Sequence, residues 1–376
     1  MATGLCAGLL LTGSSSLWAA EATTPQSSVK TYTLADIKTF SEINAIEVLR
    51  QKAAKDVKEA DAFNAEMNYY DARYQSSNPG GFSMMDPYQF WLQWDSALQT
   101  FKDAEDTLEE VQRQAGFAGE SRFFAFQQML QSRASLGKTI ELQEQLLEIE
   151  KLKVQLGMNI PSAVTAQALK ISELKSSLIQ LDLAQALAAK ELMRQIGQPI
   201  DTEFILADLE AYPVLKEKYI LADLITTATK NSLSLKQLDR AIESLDDKID
   251  EGGLSVPIKE QLAAQANSLK LTRKEVQYAI KLVAQNSINA LEQADLKATL
   301  LKEKLEKAEL DEQHMALQVK LGLAAKISLP ATELALLTAQ NDYQKVLDDR
   351  YLSLRTLSLL EQGIMVSTGS AAAMSE

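Results

Sequence analysis

The sequence is short of nearly everything from which catalytic sites are built. Its 376 residues include one cysteine and one histidine. The cysteine, Cys6, falls in an N-terminal leader, so the exported chain offers neither a disulfide framework nor thiolate chemistry. His314 follows the charged run Glu309-Leu310-Asp311-Glu312-Gln313, where a metal site would need partners that the sequence does not supply. It reads as a solvated helix-face residue. No glycine-rich loop follows a strand to cradle phosphate, and no nucleophile–base pairing stands out. The sequence therefore predicts no enzyme, no cofactor and no metal. Basic charge is also scarce. A net charge of −13 argues against a nucleic-acid partner, whose phosphates demand a cationic face.

Glycine (15 residues) and proline (8) are sparse, and aromatics make up 6%. What remains is rich in Leu, Ala, Gln, Lys and Glu, a composition that favours long helices and coiled coils over sheets. After the leader, no apolar stretch is long and uncharged enough for a transmembrane helix. The apolar run from Ala2 to Ala20 ends at Ala20-Glu21-Ala22, a small-x-small site, so residues 1–22 read as a secretory signal peptide without the usual basic start. Residues 23–33, rich in Ser and Thr, read as a flexible lead-in.

The rest of the chain is organised around two breaks. One is Leu156-Gly157-Met158-Asn159-Ile160-Pro161; the other is Leu321-Gly322-Leu323 through Lys326-Ile327-Ser328-Leu329-Pro330. Each follows a very long amphipathic run and precedes a shorter one that ends in glycine, Gly197 or Gly363. The phrase Leu34-Ala35-Asp36-Ile37, with Asn44 behind it, returns as Leu221-Ala222-Asp223-Leu224 with Asn231. These landmarks predict a duplication, with about twenty extra residues in the first copy. The boundaries are 34–200 for repeat 1, 201–220 for a linker at the waist, 221–363 for repeat 2 and 364–376 for a flexible tail.

Within each repeat a first helix runs from Leu34 to about Tyr74 or from Leu221 to about Asp250. A turn follows, residues 75–86 or 251–257, and then a helix of about 100 Å at 1.5 Å per residue. Asp86-Pro87 is a start signal, with proline where a missing N–H costs nothing. Gly116 and Gly119 are candidate kinks in the first long helix. Leu262, Leu269, Val276, Val283 and Ala290 recur every seventh residue, and Ile171, Leu174, Leu178 and Leu181 follow a 3-4-3 spacing, the seams of left-handed coiled coils. The acidic runs Asp103-Ala104-Glu105-Asp106 and Asp348-Asp349 read as solvated helix faces. Two short helices stacked along one long helix would make a uniform rod, with both breaks at one end and both turns at the other. The expected fold is all-α: elongated, duplicated long-helix hairpins with little or no β-structure.

In this order and duplication the chain resembles the TolC-like outer-membrane efflux family. The resemblance rests on Gly157 at the helix turn followed by Val164 and Gln167-Ala168, and on the helix entries at Leu34–Asn44 and Leu221–Asn231. It implies an α-barrel protomer, a homotrimer closing a tube across the periplasm, and partnership with a periplasmic adaptor and an inner-membrane transporter. Localisation would be exported, in the periplasm or associated with the outer membrane. By the same resemblance the adaptor docks at the tip: Gly157, Met158, Asn159, Ile160 and Pro161, with Leu323, Lys326, Ile327, Ser328 and Pro330. Two departures stand out. The family inserts paired membrane strands after the first helix of each copy, and residues 251–257 are too few for two such strands of about 9–11 residues. The acidic residue expected at the tip is replaced by Ala163, with Glu333 as the nearest candidate in the second copy. The tube is therefore expected without its membrane barrel. At that end the stretch Phe82, Met84, Met85, Tyr88, Phe90, Trp91 and Trp94 is a candidate for peripheral membrane contact or for an aromatic end-cap. The expected function is a passive conduit component of an efflux or secretion system. The alternative is a non-transporting spacer of the envelope.

Overall fold

A computed structural model describes residues 30–77, 87–209, 211–250 and 255–366. The expected signal peptide, Phe82, Met84, Met85, Asp86 and most of the tail lie outside these residues. The elements run β1 (Lys30–Tyr32), α1 (Leu34–Asn44), α2 (Ile46–Ser77), α3 (Pro87–Gln155), α4 (Pro161–Gln195), β2 (Phe204–Leu206), α5 (Leu221–Asn231), α6 (Leu233–Asp250), α7 (Val256–Lys320) and α8 (Ser328–Glu361). The duplicated all-α plan holds. The long helices α3 and α7 have 69 and 65 residues, and in repeat 1 the stacked helices α2 and α4, of 32 and 35, match α3 in length. In repeat 2 the helix above the waist, α6, has only 18 residues. The surplus of the first copy thus lies in α2 and in the connection after it.

Four details depart from the sequence reading. First, the entry helices are not continuous: each breaks at one residue in extended conformation, Ala45 (φ −57°, ψ 140°) or Ser232 (φ −54°, ψ 118°). The break makes room for the end of the returning short helix. Gly197 and Gly363, at φ +69° and +87°, terminate α4 and α8. Gly197 packs on Asn44, and Gly363 on the Asn231–Ser232 peptide. Asn231 Nδ2 also donates to the Glu361 carbonyl at 2.8 Å. Second, Gly116 and Gly119 do not interrupt α3. They let α1 approach it: a Cβ on Gly119 would overlap Ser41 Oγ, and one on Gly116 would sit 2.7 Å from Glu42. Third, Lys30–Tyr32, the end of the expected lead-in, pairs in parallel with Phe204–Leu206 as a small sheet at the waist. Thr33 then starts α1 through a capping box, accepting from the Asp36 N–H while its own N–H donates to Asp36 Oδ2. Fourth, the seven-residue series on α7 is the margin of its seam. Leu262, Leu269, Val276 and Val283 are half-buried and Ala290 is exposed, while the buried positions are Ala266, Ile280, Ala284, Ser287, Leu291 and Ala294.

The core is concentrated at the waist. One cluster joins Tyr32, Ile37, Phe123, Phe124, Leu192, Met193, Ile196 and Tyr351; a second joins Leu224, Ala228, Leu235, Ile280, Leu354 and Leu357. Each fully buried large side chain contributes about 1.5–3 kcal/mol, so the waist anchors the coiled-coil arms on either side. The two repeats meet along a polar seam on α3. Arg240 bonds Asp103 and Asp106, Gln237 donates to Thr107, Asn341 donates to Ser135 Oγ at 2.7 Å, and Arg355 pairs with Glu120 at 3.0 Å. The run Asp103–Asp106 is thus an inter-repeat clasp as well as a solvated face. Asp348, expected in water, is buried against α3.

Candidate functional site

Helix adjacency decides which surfaces are free. Above the waist the contacts run α2–α3–α6–α7, and below it α4–α3–α8–α7. Each half is a row of helices, bounded by α2 or α4 on one side and by α7 on the other. The exposed large apolar residues follow these boundaries. On α2 they include Leu49, Val57, Phe63, Met67, Tyr70 and Tyr74, the last four in a 4-3-4 spacing. On α4 they are Leu169, Ile179, Leu183 and Leu187, and on α7 they include Leu271, Leu282, Leu296, Leu300, Leu310 and Leu317. Of the interior helices, α6 and α8 contribute none and α3 only Leu130 and Leu152. An edge helix therefore carries two apolar seams, one used within the chain and one facing water. Ile171, Leu174, Leu178 and Leu181 form the used seam of α4. The second was not singled out from the sequence, although the outward 4-3-4 series was there to be read.

The tip turns are preformed. Gly157 and Gly322, at φ +69° and +72°, each close a helix: the Met158 N–H donates to the Lys153 carbonyl at 2.8 Å, and the Leu323 N–H to the Gln318 carbonyl at 2.8 Å. Since α8 runs antiparallel to α3, with Asn341 on Ser135 and Asp348 beside Gln128, both turns fall at the same end. Leu156, Met158, Ile160, Leu321 and Leu323 are all more than three-fifths exposed. Pro161 opens α4, Ile327 caps α8, Ser328 is its first residue, Pro330 lies in its first turn, and Lys326 is exposed. Asn159 is held by Glu150, which accepts from Asn159 Nδ2 at 2.6 Å and from Lys153 Nζ at 2.7 Å. Those two bonds, Lys153's first, pull the Glu150 carboxyl below its ordinary range. The sequence reading missed Glu150, which ties Asn159 of the turn to the end of α3. Gln167 lies in the hairpin seam, donating to Gln143.

At the opposite end Trp94 stacks on Tyr69, with ring centres 5.4 Å apart, and approaches Tyr70; Tyr88 stacks on Trp91 at 5.8 Å. Tyr88, Phe90, Trp91 and Trp94 are half-buried, so this cluster packs against itself at the α2/α3 hairpin. Among the described residues no helix is long and apolar enough to cross a membrane.

A long-helix duplication broken at the waist, with paired turns at one end, matches solved outer-membrane channels. The fold is TolC-like. The CmeC outer membrane channel of Campylobacter jejuni superposes with a TM-score of 0.64 at 7% identity, covering 91% of this chain and 88% of its own. VceC, an outer membrane protein of Vibrio cholerae, gives 0.56 at 10% identity, covering 89% and 97%. The open state of the MtrE outer membrane channel of Neisseria gonorrhoeae gives 0.52 at 11%, covering 90% and 91%. No family model and no curated protein matches the sequence. The TolC-like likeness is one of shape, carried by helix order and breaks rather than by residue identity.

Proposed function

We propose that the chain is a stave of an exported helical conduit: several copies, three by resemblance, close a tube that serves an efflux or secretion system. The observation that supports this reading is that the chain exposes two unlike apolar edges, one on α2 and α4 and one on α7. The α2/α4 edge of one copy differs in residues from the α7 edge, so a contact between them would be head-to-tail, the kind that builds a ring where the rotation closes. Large side chains at Phe63, Met67, Tyr70 and Tyr74 would seat against the α7 edge of the next copy. Transport through such a tube is passive, driven by an inner-membrane transporter. The tip turns and the shallow groove where Ala331, Ala335 and Ala339 lie beside Leu301 and Lys304 are the surface offered to an adaptor's helical hairpin.

Because the exported chain lacks cysteine, the ring can be tested by disulfide trapping. Tyr70→Cys combined in turn with Leu271→Cys or Tyr278→Cys should give a covalent ladder that stops at one closed species. A chain that stays monomeric under oxidation, or links only into dimers, would point to the envelope spacer.

The connections after α2 and after α6, residues 78–86 and 251–255, are each too short for two membrane strands of about 9–11 residues. Such strands cannot be left half built, since open edges strand backbone polar groups in lipid. We infer that this tube ends without a barrel of its own. The stacking of Tyr69 on Trp94 favours the end-cap over lipid contact. With the leader removed, Trp91 and Trp94 are the only tryptophans, so intrinsic fluorescence reports this end alone. Phosphatidylcholine vesicles should leave the emission unchanged; a blue shift on adding them would restore the membrane reading.

A further inference from the structure

The polar groups under the waist segment define a device that the conduit reading does not use. Residues 211–219, which carry the chain from repeat 1 to repeat 2, lie without regular structure across α8 and are pinned at two places. At the far pin Lys216 Nζ donates to Glu361 at 2.7 Å and lies 4.8 Å from the Tyr219 ring centre. At the near pin the Tyr212 ring sits against Phe124 and Tyr351, with centres at 6.1 and 5.7 Å, and its hydroxyl donates to Asp348 Oδ1 at 2.6 Å.

Asp348 is 1% exposed. Its partners are all neutral: Tyr212 from the strap, Gln344 from α8 (3.3 Å), and Gln128 from α3 (3.3 Å). Gln344 also donates to the Tyr212 oxygen at 2.7 Å, which closes a small ring of bonds. The charge that acts on it is of like sign, Asp349. Further along the same seam Glu120 is buried too, but it has Arg355 as counter-ion and takes the Tyr351 hydroxyl at 2.8 Å. Of two carboxylates buried at the α3/α8 crossing, one is neutralised by a guanidinium and the other only by dipoles.

We propose that Asp348 is a proton-responsive latch for this strap, with mild acid tightening residues 211–219 onto the α3/α8 crossing. A buried carboxylate held only by neutral donors is costly when ionised. A proton removes that cost and leaves the tyrosine bond in place. Burial, with Asp349 adding, holds the Asp348 carboxyl above its ordinary range despite the bonds from Tyr212, Gln128 and Gln344. The folded state therefore binds the proton more tightly than the unfolded one. Stability is gained as pH falls through the raised value and lost as pH rises through it. The latch holds whether or not the assembled tube conducts.

Tryptic nicking of the exposed strap at Lys216 and Lys218 in the mature protein reads the latch directly. Comparing wild type with Asp348→Asn at each pH cancels the protease's own pH dependence. At about pH 8 the wild-type strap should be cut faster than the variant, by up to tenfold for each pKa unit of displacement, and the rates should draw together as the pH falls through the raised value. A wild-type-to-variant ratio that is flat across this range overturns the proposal. Asn has one fewer oxygen to offer, so Tyr212→Phe supplies a second reading. It should speed nicking at every pH, and a strap indifferent to loss of the hydroxyl is not latched at Asp348.

Discussion

Arg355→Met should lower the free energy of unfolding by about 3–5 kcal/mol, the cost of leaving a buried carboxylate without its partner. The side chains of Glu120 and Arg355 are 2% and 7% exposed and meet at 3.0 Å. Tyr351 takes the other carboxylate oxygen, so little rearrangement can bring in a substitute donor. The double variant Glu120→Leu/Arg355→Met should recover most of the loss, because replacing a whole buried pair with apolar groups of similar size is often neutral. Urea midpoints for wild type, both single variants and the double variant form the necessary cycle. A single-variant loss of about 1 kcal/mol or less would mean that water reaches the pair, as it does an exposed one. The pair matters beyond its energy. It lies where α3 of repeat 1 meets α8 of repeat 2, and is more deeply buried than the Arg240 pairs with Asp103 and Asp106 on the same seam, so it helps set how the two rods are held.

The breaks, the duplication and the long helices were legible because each is written by a strong local signal. Gly157 and Gly322 end a run, Pro161 and Pro87 begin one, and apolar spacing fills the interval. The missed features depend on tertiary context. Ala45 and Ser232 carry no breaker of their own; the glycine turn of a returning helix packs beside each break, on Asn44 or on the Asn231–Ser232 peptide. Gly119 reads as a kink in one dimension and as a contact in three, since only the fold brings Ser41 over it. Asp348-Asp349 looks like a solvated pair, yet a single residue step, about 100° of helix phase, separates a buried position from an exposed one. On α7 the margin of the seam is richer in Leu and Val than its centre, where Ala266, Ser287 and Ala294 let helices approach closely. Periodicity found the helix and misplaced its buried line. The edge seams were hidden for a related reason: a helix that serves two partners carries apolar residues on two faces, and a single-period reading blurs them.

Four glycines share the same left-handed backbone, but substitution should separate them into two classes. Gly363→Ala should cost the sum of two penalties: about 1–2 kcal/mol for a side chain at positive φ, and about 1–3 kcal/mol for overpacking. The overlap is with main chain, since the new Cβ would meet the Asn231 carbonyl and lie 2.5 Å from the Ser232 nitrogen. Gly322→Ala, at φ +72° with nothing within 4 Å of the new atom, should pay only the first penalty. Thermal midpoints of the two variants, measured in the same buffer, decide the matter. Equal shifts would mean that the φ strain alone is felt and that the waist yields to a methyl group. The predicted inequality follows from the division of labour along the rod. The waist glycines hold each returning helix against the break in its entry helix, where the core is thickest, while the tip glycines only reverse the chain in solvent. A folded Gly322 or Gly157 variant that loses the proposed adaptor binding would therefore report on the shape of the tip surface, undisturbed by the stability of the rod beneath it.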